Sequence, residues 1–170
     1  MTRTDASYAA EMRRPSPDSV PATDQQVVEL LGLVHLTSME FRGRAEATAN
    51  SVGETFARTQ VLATMVENRC TLSSVARQLG ITRQSVRSIV QQLSARGLVE
   101  QIENPAHKSA PLFGATPAGV EKIRLIRHRA HPMYEAVITE FGESQVHSLT
   151  EQLTTLLRLA RATPRTASEE

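Results

Sequence analysis

The sequence predicts a mainly α fold carrying one small two-stranded β ribbon. Three observations point to it. Two short blocks of apolar residues at helical spacing, Leu72–Leu79 and Val86–Leu93, are joined by a glycine turn. A strand-like run at Leu98–Ile102 is followed by a polar, proline-containing tip and a second apolar run at Leu112-Phe113. Long amphipathic stretches flank this block on both sides, over about 24–51 and 118–162. Helix, tight turn, helix and ribbon in that order is the layout of a winged helix-turn-helix, with the outer helices available for dimerisation.

Residues 1–23 hold Pro15, Pro17 and Pro21 and few large apolar groups, so they are expected to form a disordered arm. Its arginines Arg3, Arg13 and Arg14 are read as a solvated tail rather than a phosphate contact. Asp24 is expected to cap the first helix. Val27, Leu30, Leu31, Val34 and Phe41 then recur at helical spacing to about Ser51. A second amphipathic helix is expected near Thr55–Glu67, with Phe56, Val61, Leu62 and Met65 on its apolar side.

The helix-turn-helix begins at Thr71, whose hydroxyl is placed to cap the amide of Ser74. Leu72, Val75, Ala76 and Leu79 make one face, Gly80 ends the helix through the left-handed conformation, and Ile81 plugs the turn. Thr82 caps the second helix. Val86, Ile89, Val90 and Leu93 face inward at i, i+3, i+4, i+7, which leaves Arg83, Gln84, Ser85, Arg87 and Ser88 on the opposite side. Arginine pairs bidentately with guanine and glutamine with adenine. A recognition helix makes such contacts with its N-terminal residues. Thr82, Arg83, Gln84, Ser85, Arg87 and Ser88 are therefore the candidate DNA-reading residues, with Lys108 at the tip of the wing. Over residues 71–109 five cations (Arg77, Arg83, Arg87, Arg96, Lys108) face two anions (Glu100, Glu103), although the whole chain is only +1. The positive excess thus sits where phosphates would lie.

Thr116-Pro117 opens the next helix, with Thr as cap and Pro at its first position. It is expected to run over Ala118–Ile138 with Val120, Ile123, Leu125 and Ile126, and to kink or break at His131-Pro132. A last helix, from about Ser144 to Arg161, spaces Val146, Leu149, Leu153, Leu156 and Ala160 three, four, three, four. That is a coiled-coil-like seam. A small winged domain does not need both outer helices for its own core, so Val27, Leu31, Val34, Val146, Leu149, Leu153 and Leu156 are assigned to dimerisation. Residues 163–170 read as a frayed end.

With four Phe, two Tyr and no Trp, the core must be aliphatic. No stretch reaches 18 uncharged apolar residues and no apolar leader is visible, so no membrane association is expected. One cysteine fits a reducing, cytoplasmic setting. No activated nucleophile, phosphate-cradling glycine loop or H-E-x-x-H is present, so neither an enzyme nor a bound cofactor or metal is expected. His128 and His131 are one helical turn apart but lack a cysteine or carboxylate partner, and solvent-facing histidines are the reading for them. Cys70 lies in the loop before a helix N-terminus and follows Arg69, two features that could lower its pKa and make a redox switch conceivable, but an inert, half-buried loop cysteine is the default reading.

The residues Thr71–Ala76, Leu79–Val86, Leu93, Arg96–Glu100, Pro105 and Thr116–Gly119 together resemble the MarR family of bacterial transcription regulators, and the helical flanks extend the likeness to about residues 25–162. The resemblance implies a homodimer on a palindromic promoter site, released by a small aromatic or phenolic ligand or, in some members, by oxidants. A pocket for such an effector is assigned to His35, Met39, Arg42 and Met65, between the outer helices and the DNA-binding lobe (about 55–116). One departure stands out. The family's wing carries an Asp-Arg-Arg run after its proline, where this chain has His107, Lys108 and Ser109. Lys108 would act there as a point charge rather than a planar fork. A competing reading is a winged-helix protein-interaction module without sequence-specific DNA binding. A third is a redox-responsive regulator using Cys70.

Overall fold

A computed structural model describes residues 22–105, 107 and 110–163. Five helices and two strands follow in order: α1 (Ala22–Asn50), α2 (Phe56–Glu67), α3 (Leu72–Leu79), α4 (Arg83–Ala95), β1 (Val99–Ile102), β2 (Leu112–Ala115) and α5 (Pro117–Ala162). The expected arm at 1–21 and the tail at 164–170 lie outside the described residues. Helix α1 starts two residues before Asp24, which is therefore not the cap. Asp24 sits in the first turn, where its charge faces the positive end of the helix.

Local chemistry explains most boundaries. Thr55, Thr71, Thr82 and Thr116 each accept a hydrogen bond from the backbone N–H three residues on, at the start of α2, α3, α4 and α5. At α3 the cap is reciprocal: Thr71 Oγ1 accepts from Ser74 N at 3.2 Å, and Ser74 Oγ accepts from Thr71 N at 3.0 Å. Thr71→Ala removes one half of this box and is expected to cost about 1 kcal/mol in urea unfolding. A loss below about 0.3 kcal/mol would show that the box does not hold α3. Gly80 closes α3 in the left-handed region, and Ile81 N donates back to Ala76 O at 3.1 Å.

One core holds the lobe together. Val61, Leu62 and Met65 of α2 meet Val75 and Ala76 of α3, Val86, Val90 and Leu93 of α4, and Leu98, Val99 and Phe113 of the ribbon. Ile123 and Ile126 of α5 belong to the same cluster. The lobe core therefore reaches past the expected limit near 116 into the outer helix. Gly119 permits this approach: a Cβ there would lie 2.2 Å from the Leu98 carbonyl oxygen.

β1 and β2 pair antiparallel, from Val99 opposite Ala115 to Ile102 opposite Leu112. The segment expected to be a loop at Cys70 joins them: Cys70 N donates to Phe113 O at 3.0 Å, and Phe113 N to Cys70 O at 2.8 Å. At the wing tip, Asn104 Nδ2 donates to Ala110 O at 2.7 Å and ties the two ends of the loop.

The expected break at His131-Pro132 does not occur. Helix α5 runs through Pro132, and its irregular residue is Gly142, with φ 72 and ψ 156. Proline removes one helical bond at an exposed stretch, where water can reach the freed carbonyl of His128. Gly142 instead adopts backbone angles open only to glycine, and so changes the chain direction. The segment after it carries the apolar seam, and Arg161 Nη2 reaches Gln78 O of α3 at 3.4 Å. No helix among the described residues is long and apolar enough to cross a membrane.

Candidate DNA interface

Helix α4 offers its first turn to solvent. Val86, Val90 and Leu93 are buried, while Thr82, Arg83, Gln84, Ser85, Arg87 and Ser88 are all exposed. The periodicity thus divides the helix as expected, with three apolar residues anchoring it and six polar ones left free. Thr82 and Ser85 also meet each other, Oγ1 to Oγ 2.8 Å apart, and Ser85 N donates to Thr82 Oγ1 at 3.0 Å. Their hydroxyls are thus engaged in the cap, so Arg83, Gln84, Arg87 and Ser88 are the freer candidates.

Arg83 and Arg87 lie one turn apart, on the wall of a groove of about 620 Å³ between the start of α3, helix α4 and the wing. Its floor is apolar, from Leu72, Val90, Pro111 and Phe113. Among the described residues neither guanidinium has a carboxylate partner, unlike Arg58, Arg96, Arg124 and Arg127. An arginine without an internal partner keeps its full donor fork for phosphate or guanine.

Arg96 is a correction to the count of phosphate-facing cations. It binds Glu54, with Nη2 3.0 Å from Oε1, and donates from Nη1 to Gly53 O at 3.1 Å. A guanidinium held this way is structural. Nothing in the spacing of Glu54 and Arg96, 42 residues apart, signals the pair. Lys108 lies outside the described residues, and with it the comparison of a point charge against the usual arginines. His107 is exposed, and its N–H donates to Asn104 O at 3.1 Å.

Cys70 is half-buried, as its default reading has it. Burial pushes its thiol above the ordinary value, opposite to the lowering expected from Arg69 and the helix start. Its backbone is locked to Phe113, and its sulfur is 4.0 Å from the Phe113 carbonyl oxygen. A half-buried thiol with a raised pKa carries little thiolate, which weighs against the redox reading.

The four residues assigned to an effector pocket separate. Met65 is 3% exposed and packs in the lobe core. His35, Met39 and Arg42, at i, i+4 and i+7, share an exposed face of α1, and Arg42 sits 6.0 Å over the Phe56 ring. A methionine among aliphatics in a repeating apolar pattern was already the signature of plain core. His131 and His147 are exposed beside Glu135 and Glu151, each pair at 3.4 Å.

The dimerisation residues all remain accessible in the single chain. Val27, Leu31 and Leu153 each keep about half their surface exposed, at 49%, 48% and 51%, and Val34, Val146 and Leu156 are half-buried.

Residues 53–108, which span the helix-turn-helix and most of the wing, match the MarR family profile. The chain belongs to the MarR family of winged-helix transcription regulators. An uncharacterized protein of Mycobacterium tuberculosis is 34% identical over 113 residues, or 66% of this chain and 74% of the relative. The MarR fold is shared with NadR in complex with 4-hydroxyphenylacetate, at TM-score 0.70 and 18% identity over 84% of this chain and 97% of that one. The Staphylococcus aureus MepR–DNA complex aligns at TM-score 0.63 and 16% identity, over 75% of this chain and 95% of MepR.

Proposed function

We propose that this MarR-family chain works as a homodimer whose two α4 helices read the halves of a palindromic promoter site under control of a small aromatic or phenolic ligand. The observation that carries the DNA contact is the exposed N-terminal half of α4, where among the described residues neither Arg83 nor Arg87 has a carboxylate partner. MepR, a relative in fold, is seen with DNA, which supports the same use of this surface. The half-sites are expected about one helical turn, roughly 10 bp, apart. The apolar faces left open on α1 and the end of α5 support pairing of two copies. For the effector, NadR with its bound phenolic acid suggests the chemical class. His35, Met39 and Arg42 on α1 supply an apolar and cationic rim suited to a carboxylate or phenolate.

The decisive experiment is a mobility shift on the DNA upstream of the chain's own gene. Arg83→Ala and Arg87→Ala are each expected to weaken binding by about 1–3 kcal/mol and to relax preference at one base position. Unchanged affinity for both operator and random DNA in both variants would show that α4 does not read sequence. That result would favour the protein-interaction reading.

A further inference from the structure

The turn between α1 and α2 is bound by three cations from two separate elements, α5 and the end of α4. Its carbonyls at Ser51, Val52 and Gly53 each accept from a cation. Arg129 of α5 donates to Ser51 O at 2.9 Å and to Ser51 Oγ at 2.7 Å. Lys122 of α5 donates to Val52 O at 3.3 Å. Arg96, at the end of the recognition helix, donates to Gly53 O at 3.1 Å. These carbonyls follow Asn50, the last residue of α1, and lie near the negative end of a 29-residue helix, where cations are favoured.

Glu54 completes the knot. Its side chain is fully buried, and a carboxyl group so placed needs close polar partners. Arg58 Nε is 2.8 Å from Oε2, and Arg96 Nη1 and Nη2 are 3.2 Å from Oε2 and 3.0 Å from Oε1. Arg58 also donates from Nη1 to Gln92 Oε1 of α4 at 3.3 Å. The end of the recognition helix is therefore tied at Gln92 to α2 and at its cap Arg96 to the turn that follows α1, and through that turn to α5. Helices α1 and α5 are the two with open apolar faces. Apolar packing of Val86, Val90 and Leu93 tolerates small sliding, whereas two guanidinium–carboxylate contacts, one of them the hydrogen bond from Arg96 Nη1 to Glu54 Oε2, favour one direction.

We propose that Glu54 and Arg96 are positioning residues for DNA recognition: the Glu54–Arg96 fork sets the angle of α4 against the dimer helices, and so the distance between the two recognition helices. This rests on the reading of the chain as a dimer on a two-half site. Neither residue touches DNA. Their loss leaves each half able to read its half-site but no longer holds the two halves at one spacing.

The test uses the full-length chain and a duplex selected from a randomised pool by the wild-type protein. Glu54→Gln, Arg96→Gln and Arg96→Lys are compared on the full site, on one half-site, and on full sites with the spacing changed by one base pair. Arg96→Gln alters a partly exposed side chain, so it spares the core if Glu54→Gln folds poorly. In both Gln variants the full-site affinity should fall tenfold or more, half-site affinity should stay within twofold, and the penalty for altered spacing should shrink. The slope of log affinity against log salt should not change, since no phosphate contact is lost. Arg96→Lys keeps the charge but not the fork, and should recover only part of the full-site affinity. A merely structural role would lower full-site and half-site binding together, and that result overturns the proposal. So does a full-site to half-site ratio unchanged within twofold. Wild-type protein that selects no duplex over random DNA overturns the DNA reading and this proposal with it. Wild type that selects a two-half site while the variants match it overturns the proposal alone.

Discussion

Glutamate at both Leu153 and Leu156 is expected to turn the chain into a monomer at micromolar concentration and to remove operator binding. Leu153 is half exposed and Leu156 half-buried in the single chain, so each retains surface to bury against a second copy. At about 25 cal/mol per Å² this is roughly 1 kcal/mol per side chain, and a dimer contains four of them. The larger effect comes from the carboxylates. Burying an unpaired charge costs several kcal/mol more, so the dimer does not form with them enclosed. A combined loss above about 6 kcal/mol corresponds to more than a ten-thousandfold rise in dissociation constant. The lobe core, from Val61 to Ile126, is separate from this seam, so helicity and the urea transition of the lobe should persist. Operator binding should collapse because one half-site then has to hold without the gain of a tethered second half. Sedimentation decides the matter: a variant that sediments like wild type, or a wild type already monomeric, would remove α5 from the interface.

Gly119→Ala should be among the most damaging single changes in the lobe. A methyl group at that position would stand 2.2 Å from the Leu98 carbonyl oxygen and 3.1 Å from Leu62 Cδ1. The first distance is far inside van der Waals contact, and its far side is backbone that cannot rotate away. The Leu98 carbonyl also accepts from Thr116 N at 3.1 Å, the bond that leads the chain from the wing into α5. Either the helix or the strand must move, against a core that includes Leu62, Leu98 and Ile123. Overpacking of this kind costs about 3 kcal/mol, which in a lobe of this size lowers Tm by roughly 10–20 °C at fixed protein concentration. A Tm within 2 °C of wild type would mean that α5 does not approach the wing this closely.

Much of the fold was legible in residue order because its signals are local. Threonine three residues before a free amide, apolar residues at i, i+3, i+4 and i+7, and glycine after Leu79 each act within one helical turn. These placed α3, α4, the wing and the exposed face of Arg83, Gln84 and Arg87. The T-P-A-G motif was visible too, but the reason for its glycine was not, since the Leu98 carbonyl that requires it comes from another element. The same limit governed Pro132 and Gly142. Proline in a helix is a local penalty of known sign, yet whether the helix breaks depends on what surrounds it, and here the irregular residue was the glycine ten positions later.

Sequence alone determined the order of the central elements, the caps at Thr71, Thr82 and Thr116, the split of α4 into a packed side and an exposed polar side, and the aliphatic character of the core. These follow from backbone hydrogen bonding and apolar periodicity, which act over a few residues. Tertiary structure alone decided which charges are free. Among the described residues Arg83 and Arg87 have no carboxylate partner, while Arg96, equally basic and at the C-cap of the same helix, is held by Glu54 from 42 residues away. It also moved Met65 from an expected pocket into the core and raised the Cys70 thiol instead of lowering it. Charge pairing and burial depend on distance in space, and a linear order of residues does not carry that distance.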